Sequence, residues 1–150
     1  MTKEPRSEWD GPDESPGFLL WRVTLAWQRA MRQALAPHDL THVQFVLLAS
    51  SWWLGRHEEP TQQRLAEHAG TDPMMTSQVV RKLEDRGLVT RKADPRDARA
   101  RRIVVTVKGR AVLTPALKDV ERADAEFFAK LGNDNARFAR SLGRLARGDA

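Results

Sequence analysis

The fold of this chain is decided by residues 61–106, which read TQQRLAEHAGTDPMMTSQVVRKLEDRGLVTRKADPRDARARRIVVT. Thr61 is a typical helix N-cap and Gly70 a typical helix stop, so the pattern predicts a short helix over 62–69. Pro73 then suits the first turn of another helix. The stretch therefore begins with two short helices joined by a tight turn.

The second of these helices has Thr71 and Asp72 as alternative N-caps, and Gly87 ends it. Its inward positions recur at the spacings of a helix with one buried face, and they are Thr76, Val79, Val80 and Leu83. The residues that point elsewhere are Met74, Met75, Ser77, Gln78, Arg81 and Lys82.

Two runs after this helix have the composition of β-strands. Residues 88–92 and the β-branched run 103–106 are separated by the turn sequence DPRD at 94–97. An antiparallel hairpin with a long tip is therefore predicted. The predicted fold class is mainly α with a small β-hairpin wing (α+β), that is, a winged helix-turn-helix with helical extensions at both termini.

The positive charge is concentrated in this same region. Residues 81–110 hold eleven Lys and Arg residues against four Asp and Glu, a net charge of +7, while the whole chain of 150 residues carries only +5. Because the charge follows a predicted helix and hairpin, it indicates a folded surface for a polyanion such as duplex DNA.

The predicted geometry assigns the DNA contacts. A helix about 10–12 Å wide fits the major groove of B-DNA, where Gln78 suits adenine and Arg81 suits guanine. The hairpin tip would place Arg99 in the neighbouring minor groove, with Asp97 bracing its side chain. The full set of expected DNA-binding residues is Thr61, Gln62, Met74, Met75, Thr76, Ser77, Gln78, Arg81, Lys82, Arg91, Arg96, Asp97, Arg99 and Arg101.

The flanking regions differ from this centre. Residues 1–15 are acidic and contain Pro and Gly, so a flexible segment is expected. The helix predicted over 16–36 is apolar almost all the way round, which in so small a chain indicates cover by a partner subunit. Two more helices are predicted, from about Thr106 to Leu131 and from 134 to 147, with Pro115 kinking the first of them.

Composition excludes several classes of protein. Cysteine is absent, so disulfides and thiolate metal sites are excluded. No run approaches the roughly 18 apolar residues of a membrane span, and no secretion signal precedes the first helix, so we expect a cytoplasmic protein. The chain has no Gly-rich phosphate loop, no HExxH and no recognisable Ser/His/Asp arrangement, so we expect neither an enzyme nor a bound cofactor. A membrane-surface role for the Arg/Leu helix 137–147 is less favoured than packing against a partner.

Several motifs occur in order along the chain: LTHVQF at 40–45, QRLA at 63–66, RKLEDRGLV at 81–89, Arg91, DPRDAR at 94–99 and TVKG at 106–109. Together they resemble the MarR family (multiple-antibiotic-resistance regulator) of bacterial winged-helix repressors. The resemblance spans roughly half the chain.

The resemblance implies a homodimer that binds a pseudo-palindromic operator and represses transcription. Its body would be the helical dimerisation region 16–36 and 107–150, and its DNA-binding domain would be 37–106. Arg99 would enter the minor groove. Position 98 is Ala where many members carry Arg, and the two methionines at 74 and 75 are unusual, so the family's base preference is not transferred.

Many members of that family leave DNA when a small, often anionic aromatic ligand binds. The residues expected to bind such a ligand are Trp21, Arg22 and Trp52, because an indole offers a stacking face and an arginine offers a fork for a carboxylate. The alternative for each Trp is a core or interface position. A ligand-independent or metal-responsive regulator is the second hypothesis. Its metal site would need three or four ligands from His38, His42, His57, His68 and carboxylates.

Overall fold

A computed structural model describes residues 4–148, so residues 1–3 and 149–150 of the predicted terminal regions lie outside the described part. The helices and strands are α1 (Pro16–Leu35), α2 (His42–Gly55), α3 (Gln62–Ala69), α4 (Pro73–Asp85), β1 (Val89–Ala93), β2 (Arg101–Val105), α5 (Val107–Phe128) and α6 (Asn135–Arg147). Short 3-10 segments occur at Pro12–Glu14, Ala36–His38 and Ala129–Asp134. The predicted winged helix-turn-helix architecture is confirmed.

Side-chain caps begin most of the helices where the sequence predicts. Thr61 Oγ1 accepts a hydrogen bond from the backbone N–H of Arg64 at 3.1 Å. At α2, Thr41 and Gln44 form a reciprocal capping box. Thr106 caps α5. These caps satisfy backbone donors that a helix N-terminus would otherwise leave unpaired, and they fix where each helix begins.

Asp72 caps α4, which decides between the two caps that the sequence allowed. Its Oδ1 accepts from the backbone N–H groups of Met74 and Met75, at 2.6 and 3.1 Å. The hydroxyl of Thr71 lies instead 2.7 Å from the hydroxyl of Thr76. The turn between α3 and α4 is therefore bonded on both sides, which fixes the angle at which α4 leaves it.

One apolar core holds α4 and the hairpin against the rest of the chain. Leucines of α2, α3, α4 and α5 meet there, together with the inward residues of both strands. The fully or almost fully buried members include Leu47, Leu48, Leu65, Val80, Leu83, Val89, Ile103 and Leu113. This packing holds α4 rigidly through its inward residues, so its outward face has a fixed position.

The strands and the last helices differ from the prediction at their ends. The strand register pairs Val89 with Val105 and Ala93 with Arg101, so the second strand begins two residues earlier than predicted. The first long C-terminal helix ends at Phe128, and a 3-10 segment with Gly132 at φ 51° follows. Pro115 lies inside α5 without ending it.

The hairpin and α5 meet at one close contact. A Cβ added to Gly109 would lie 2.0 Å from the carbonyl oxygen of Leu88 and 2.9 Å from a methyl group of Val105. Thr106 reinforces the junction, because its backbone N–H donates to Leu88 O at 3.0 Å and its hydroxyl donates to Gly87 O at 2.6 Å. The start of α5 is therefore fixed to the base of the wing.

The N-terminal and C-terminal helices leave large apolar side chains in solvent. On α1, Leu20 is 54% exposed and Trp21 is 62% exposed, and Leu145 on α6 is 75% exposed. Within residues 4–148 no helix has the length and apolarity needed to cross a bilayer.

Candidate nucleic-acid interface

The face of α4 that points away from the core is open to solvent. Met74 is 70% exposed and Met75 43% exposed. Gln78, Arg81 and Lys82 are exposed as well, and within residues 4–148 no hydrogen bond or ion pair engages their side chains. Ser77 is half-buried. This face therefore offers two flexible apolar groups, one amide and two cations to an external partner.

Thr76 does not belong to that face, and the prediction that it contacts DNA is wrong. Its side chain is fully buried, and its hydroxyl donates to the backbone carbonyl of Asp72 at 2.8 Å. It also lies in hydrogen-bond contact with Thr71. The helical spacing had already placed this residue on the inward stripe, and that part of the sequence reasoning is the correct one.

The start of α3 lies beside the wing. Thr61 forms an isolated antiparallel bridge with Arg102 of β2, and the backbone N–H of Ile103 donates to the carbonyl of Pro60 at 2.8 Å. Thr61 and Gln62 are both half-buried. These contacts bring the N-terminus of α3, a favourable position for an anion, next to the second strand of the hairpin.

Asp94 organises the tip of the wing from inside. Only 7% of this residue is exposed, and its Oδ1 accepts from the backbone N–H groups of Arg96 and Asp97 at 2.7 and 3.2 Å. Its Oδ2 accepts from Nε of Arg102 at 2.8 Å. The backbone bond from Arg96, followed by the bond and charge of Arg102, lowers the pKa of Asp94 below its usual value.

Arg102 completes this clamp, a role that the sequence did not reveal. Besides Asp94, it donates from Nη1 to the carbonyl oxygen of Glu59 at 3.0 Å, and its Nη2 lies 3.0 Å from Oε1 of Glu58. Its side chain is only 12% exposed. The wing is therefore tied to the loop between α2 and α3 rather than projecting freely.

Asp97 and Arg99 interact through the backbone, which corrects the predicted side-chain brace. Oδ1 of Asp97 accepts from the backbone N–H of Arg99 at 2.9 Å. The Arg99 guanidinium is exposed and has no hydrogen-bond or ion-pair partner within residues 4–148. Arg101 reaches the carbonyls of Ala98 and Ala100, each at 3.4 Å. Asp97 thus shapes the turn and leaves the tip arginine available.

Several basic residues of the charged region are used internally. Nε and Nη2 of Arg91 donate to the carboxylate oxygens of Glu84 at 3.0–3.1 Å. These hydrogen bonds lower the pKa of Glu84. Arg86 donates to the carbonyl of Asp39 at 2.6 Å, and Lys108 donates to the carbonyl of Arg86 at 2.8 Å. The predicted DNA contact of Arg91 would have to compete with Glu84. The net charge of the segment therefore overstates the cations available to a partner.

The remaining cations surround a cleft between the wing and the start of α3. The cleft has a volume of about 960 Å³, and Gln62, Arg64, Arg96, Arg99 and Arg101 are among its lining residues. We take this cleft and the open face of α4 together as the candidate interface, in which the helix would enter a groove and the arginines would contact the adjacent backbone and groove.

Comparison with known proteins identifies the family to which this chain belongs. The model of the MarR family matches residues 40–100. The HTH-type transcriptional repressor Rv2887 of Mycobacterium tuberculosis (strain ATCC 25618 / H37Rv) is 36% identical over 135 residues, which cover 89% of this chain and 95% of that one. The chain belongs to the MarR family. The HTH-type transcriptional regulator YdcH of Bacillus subtilis (strain 168) is 47% identical over 127 residues, 84% of this chain and 86% of YdcH.

Solved structures of MarR-family proteins agree with this assignment. Rv2887 has been solved in complex with DNA, with a TM-score of 0.66, 33% identity and coverage of 89% of this chain and 98% of that one. It has also been solved with salicylic acid, with a TM-score of 0.65 and 36% identity over the same shares. CouR of Rhodococcus jostii RHA1 bound to p-coumaroyl-CoA has a TM-score of 0.81 at 27% identity, covering 95% of this chain and 98% of CouR. This MarR-family chain is therefore a transcriptional regulator, as predicted.

The three residues predicted to bind a ligand do not converge within this MarR-family chain. Trp21 is largely exposed on α1, and Arg22 lines a groove between α1 and the C-terminal helices. Trp52 lines a separate cleft of about 330 Å³ with Arg110 and Lys118. Within one chain these residues line different clefts, and the shared aromatic pocket stays a prediction for the dimer. Of the two tryptophans predicted to bind a ligand, Trp52 is the one whose indole lines a cleft together with cations, Arg110 and Lys118.

Two of the four histidines considered for metal, His38 and His42, have other side-chain partners. Nε2 of His38 lies 2.7 Å from Oδ2 of Asp119. The His42 ring makes an edge contact with Trp27 at 5.0 Å between centroids, and burial lowers its pKa below the usual value. Among the described residues no group of three or more His, Cys, Asp or Glu is arranged to hold a metal ion.

Proposed function

We propose that this chain acts as a homodimeric, sequence-specific repressor that binds a pseudo-palindromic operator in duplex DNA. The observation that carries the proposal is the open face of α4, where Gln78, Arg81 and Lys82 have no side-chain partner among residues 4–148, together with a wing tip that presents Arg99. In this function α4 enters the major groove of one half-site, and the wing reaches the adjacent minor groove. A dimer bound across a promoter would exclude the polymerase. The DNA complex and the repressor name of Rv2887 support this function.

A second copy of the chain would cover the apolar face of α1. Large apolar side chains of α1 and α6 are exposed, among them Leu20, Trp21 and Leu145, and exposed apolar surface of this kind is typical of a protein–protein interface. A groove of about 960 Å³ runs between α1 and the C-terminal helices and is lined mainly by apolar residues, including Phe127 and Phe138. We therefore assign 16–36 and 107–148 to a dimer body and 37–106 to the DNA-binding domain, while the flexible N-terminal segment stays a prediction from sequence.

Release from DNA by a small anionic aromatic ligand is the regulatory part of the proposal. Salicylic acid in Rv2887 and p-coumaroyl-CoA in CouR give this ligand class its support. In this chain the cleft beside Trp52 combines an indole with the cations of Arg110 and Lys118. A ligand can shift the spacing of the two α4 helices only as far as it binds the non-matching spacing better. As a DNA-binding regulator, the protein would work in the cytoplasm.

The test is selection of bound sites from random duplex DNA, with the stoichiometry of the complex measured by sedimentation. We expect an enriched pseudo-palindrome whose half-sites lie about one helical turn apart, bound by two chains. Selection is then repeated with salicylate, for which weaker retention of the same sites is expected. A strictly monomeric protein, or one that retains no duplex at low ionic strength, would contradict the proposal.

A further inference from the structure

Glu58, in the loop between α2 and α3, contacts two arginines of the wing at once. Its Oε1 lies 3.0 Å from Nη2 of Arg102 and 3.6 Å from Nη1 of Arg96. The two partners differ in their surroundings, because the Arg102 side chain is 12% exposed and the Arg96 side chain 80% exposed. One carboxylate therefore joins an internal cation to an outward one.

Three acceptor groups surround the Arg102 guanidinium, and the carboxylate of Glu58 is one of them. Asp94 accepts from its Nε at 2.8 Å, and the carbonyl of Glu59 accepts from its Nη1 at 3.0 Å. Arg102 therefore keeps a carboxylate and a carbonyl if Glu58 loses its charge. We therefore expect the wing to stay folded when Glu58 loses its charge.

The contact with Arg96, in contrast, engages a cation that is open to solvent and to DNA. Within residues 4–148, Glu58 is the only anionic side chain paired with the Arg96 guanidinium. Both residues line the cleft between the wing and α3, together with Arg99 and the N-terminal residues of α3. This is the cleft that a DNA backbone would follow. In the free protein, a carboxylate thus lies where a phosphate oxygen would bond to Arg96.

We propose that Glu58 is an internal competitor of the DNA phosphates for Arg96, and that its carboxylate lowers the affinity of the free protein for duplex DNA. This inference rests on the proposed DNA-binding function. A phosphate that approaches Arg96 competes with the carboxylate, which also repels the phosphates nearby.

The lost ion pair costs the same free energy in every complex in which Arg96 contacts a phosphate. Glu58 therefore lowers the affinity for an operator and for an arbitrary duplex by a similar factor. On an arbitrary duplex, binding depends almost entirely on phosphate contacts, so the effect is measured there without a contribution from base contacts.

The decisive variant is Glu58→Gln, which keeps the size of the side chain and removes its charge. Dissociation constants are measured for the selected operator and for a random duplex over a series of salt concentrations. We expect binding to the random duplex to tighten about two- to fivefold, as the loss of one exposed ion pair allows. The salt slope should steepen by about one phosphate contact. Operator binding should tighten by a similar factor, because the same ion pair is absent from the free protein in both measurements.

Glu59→Gln is the matched control. It removes the same charge one residue further along the loop, from a carboxylate that lies 3.6 Å from Nζ of Lys92. If the effect were only the general field of an acidic loop, both variants would behave alike. An exchange at Arg96 instead predicts a large effect for Glu58→Gln and a small one for Glu59→Gln.

The second control is an Arg96→Gln background. There the substitution at Glu58 should have almost no effect on binding to the random duplex, because the cation that it masks is absent. Thermal unfolding of each variant verifies that the fold is kept. If Glu58→Gln binds both duplexes as the unaltered protein does, if it matches Glu59→Gln, or if its effect persists without Arg96, the inference is overturned. An unaltered protein that binds no duplex would contradict the proposed function itself, before any variant is compared.

Discussion

Asp94 and Arg102 face each other across the base of the wing tip, with Oδ2 of the aspartate accepting from Nε of the arginine at 2.8 Å. Both side chains are nearly buried, at 5% and 12% exposure. The other carboxylate oxygen of Asp94 accepts from two backbone N–H groups of the tip. One buried ion pair therefore sets the shape of the turn from which the outward arginines project.

Asp94→Asn should lower the melting temperature at neutral pH. The melting temperature of the variant should also fall less as the pH is lowered. The pKa of Asp94 is lowered in the folded protein, so its charged form stabilises the fold above the unfolded pKa of about 3.9. That stabilisation is lost as the pH falls through the lower, folded pKa. Melting curves between pH 7 and pH 3 should therefore converge for the variant and the unaltered protein. Asp97→Asn, an exposed neighbour at the same tip, serves as the control and should show a smaller difference at pH 7.

Arg99→Ala should weaken operator binding by about 1–3 kcal/mol, because the side chain is the exposed tip cation expected in the minor groove. Preference for A·T pairs at the position beneath the wing should weaken with it. Both effects are measurable by gel retardation on operators with single base-pair changes. Arg6→Ala removes an exposed arginine outside the candidate interface and should leave binding almost unchanged. Equal affinities of the Arg99 variant and the unaltered protein would remove the wing from the interface.

Gln78→Ala should relax the base preference at one position in each half-site. The amide is exposed on the outward face of α4 and has no partner within the described residues. A bidentate contact of this kind discriminates between bases by about 1–3 kcal/mol. Repeating the selection from random DNA with the variant measures the change. Gln63→Ala, on α3, is the control and should keep the preference, whereas an unaltered preference in the Gln78 variant would exclude direct readout by this residue.

Gly109→Ala should destabilise the protein by about 1–3 kcal/mol, since its Cβ would overlap the carbonyl oxygen of Leu88 and the backbone must shift to admit it. Gly55→Ala offers a matched control: a Cβ there meets nothing within 4 Å, and the position is helical. That variant should be neutral or slightly stabilised. Denaturant unfolding of both proteins gives the comparison. An equally stable Gly109 variant would show that the junction between β1 and α5 is loose.

Local sequence signals were enough to predict the order of the elements and most of their ends. Caps such as Thr61 and Asp72, and the inward stripe of α4, depend on residues within one or two turns of each other, so they can be recognised in a sequence. The same stripe places Thr76 inside, in agreement with its full burial and against a contact with DNA.

Long-range pairing could not be predicted in the same way. Arg102 finds its acceptors on Asp94 and on the loop that contains Glu58, and Arg86 reaches back 47 positions to the carbonyl of Asp39. Such partners become neighbours only after the chain has folded. The charge of a segment therefore predicted the presence of an interface, and it did not predict which arginines remain free for a partner.

The close packing of Gly109 beneath Leu88 also has a mechanical meaning. β2 ends at Val105 and α5 begins at Val107, with Thr106 bonded to both Leu88 and Gly87. Because only one residue separates them, we expect the hairpin and α5 to move as one rigid unit. With 22 residues, α5 is about 33 Å long. A rotation of a few degrees applied at the far end of α5 would therefore move the wing tip that carries Arg99.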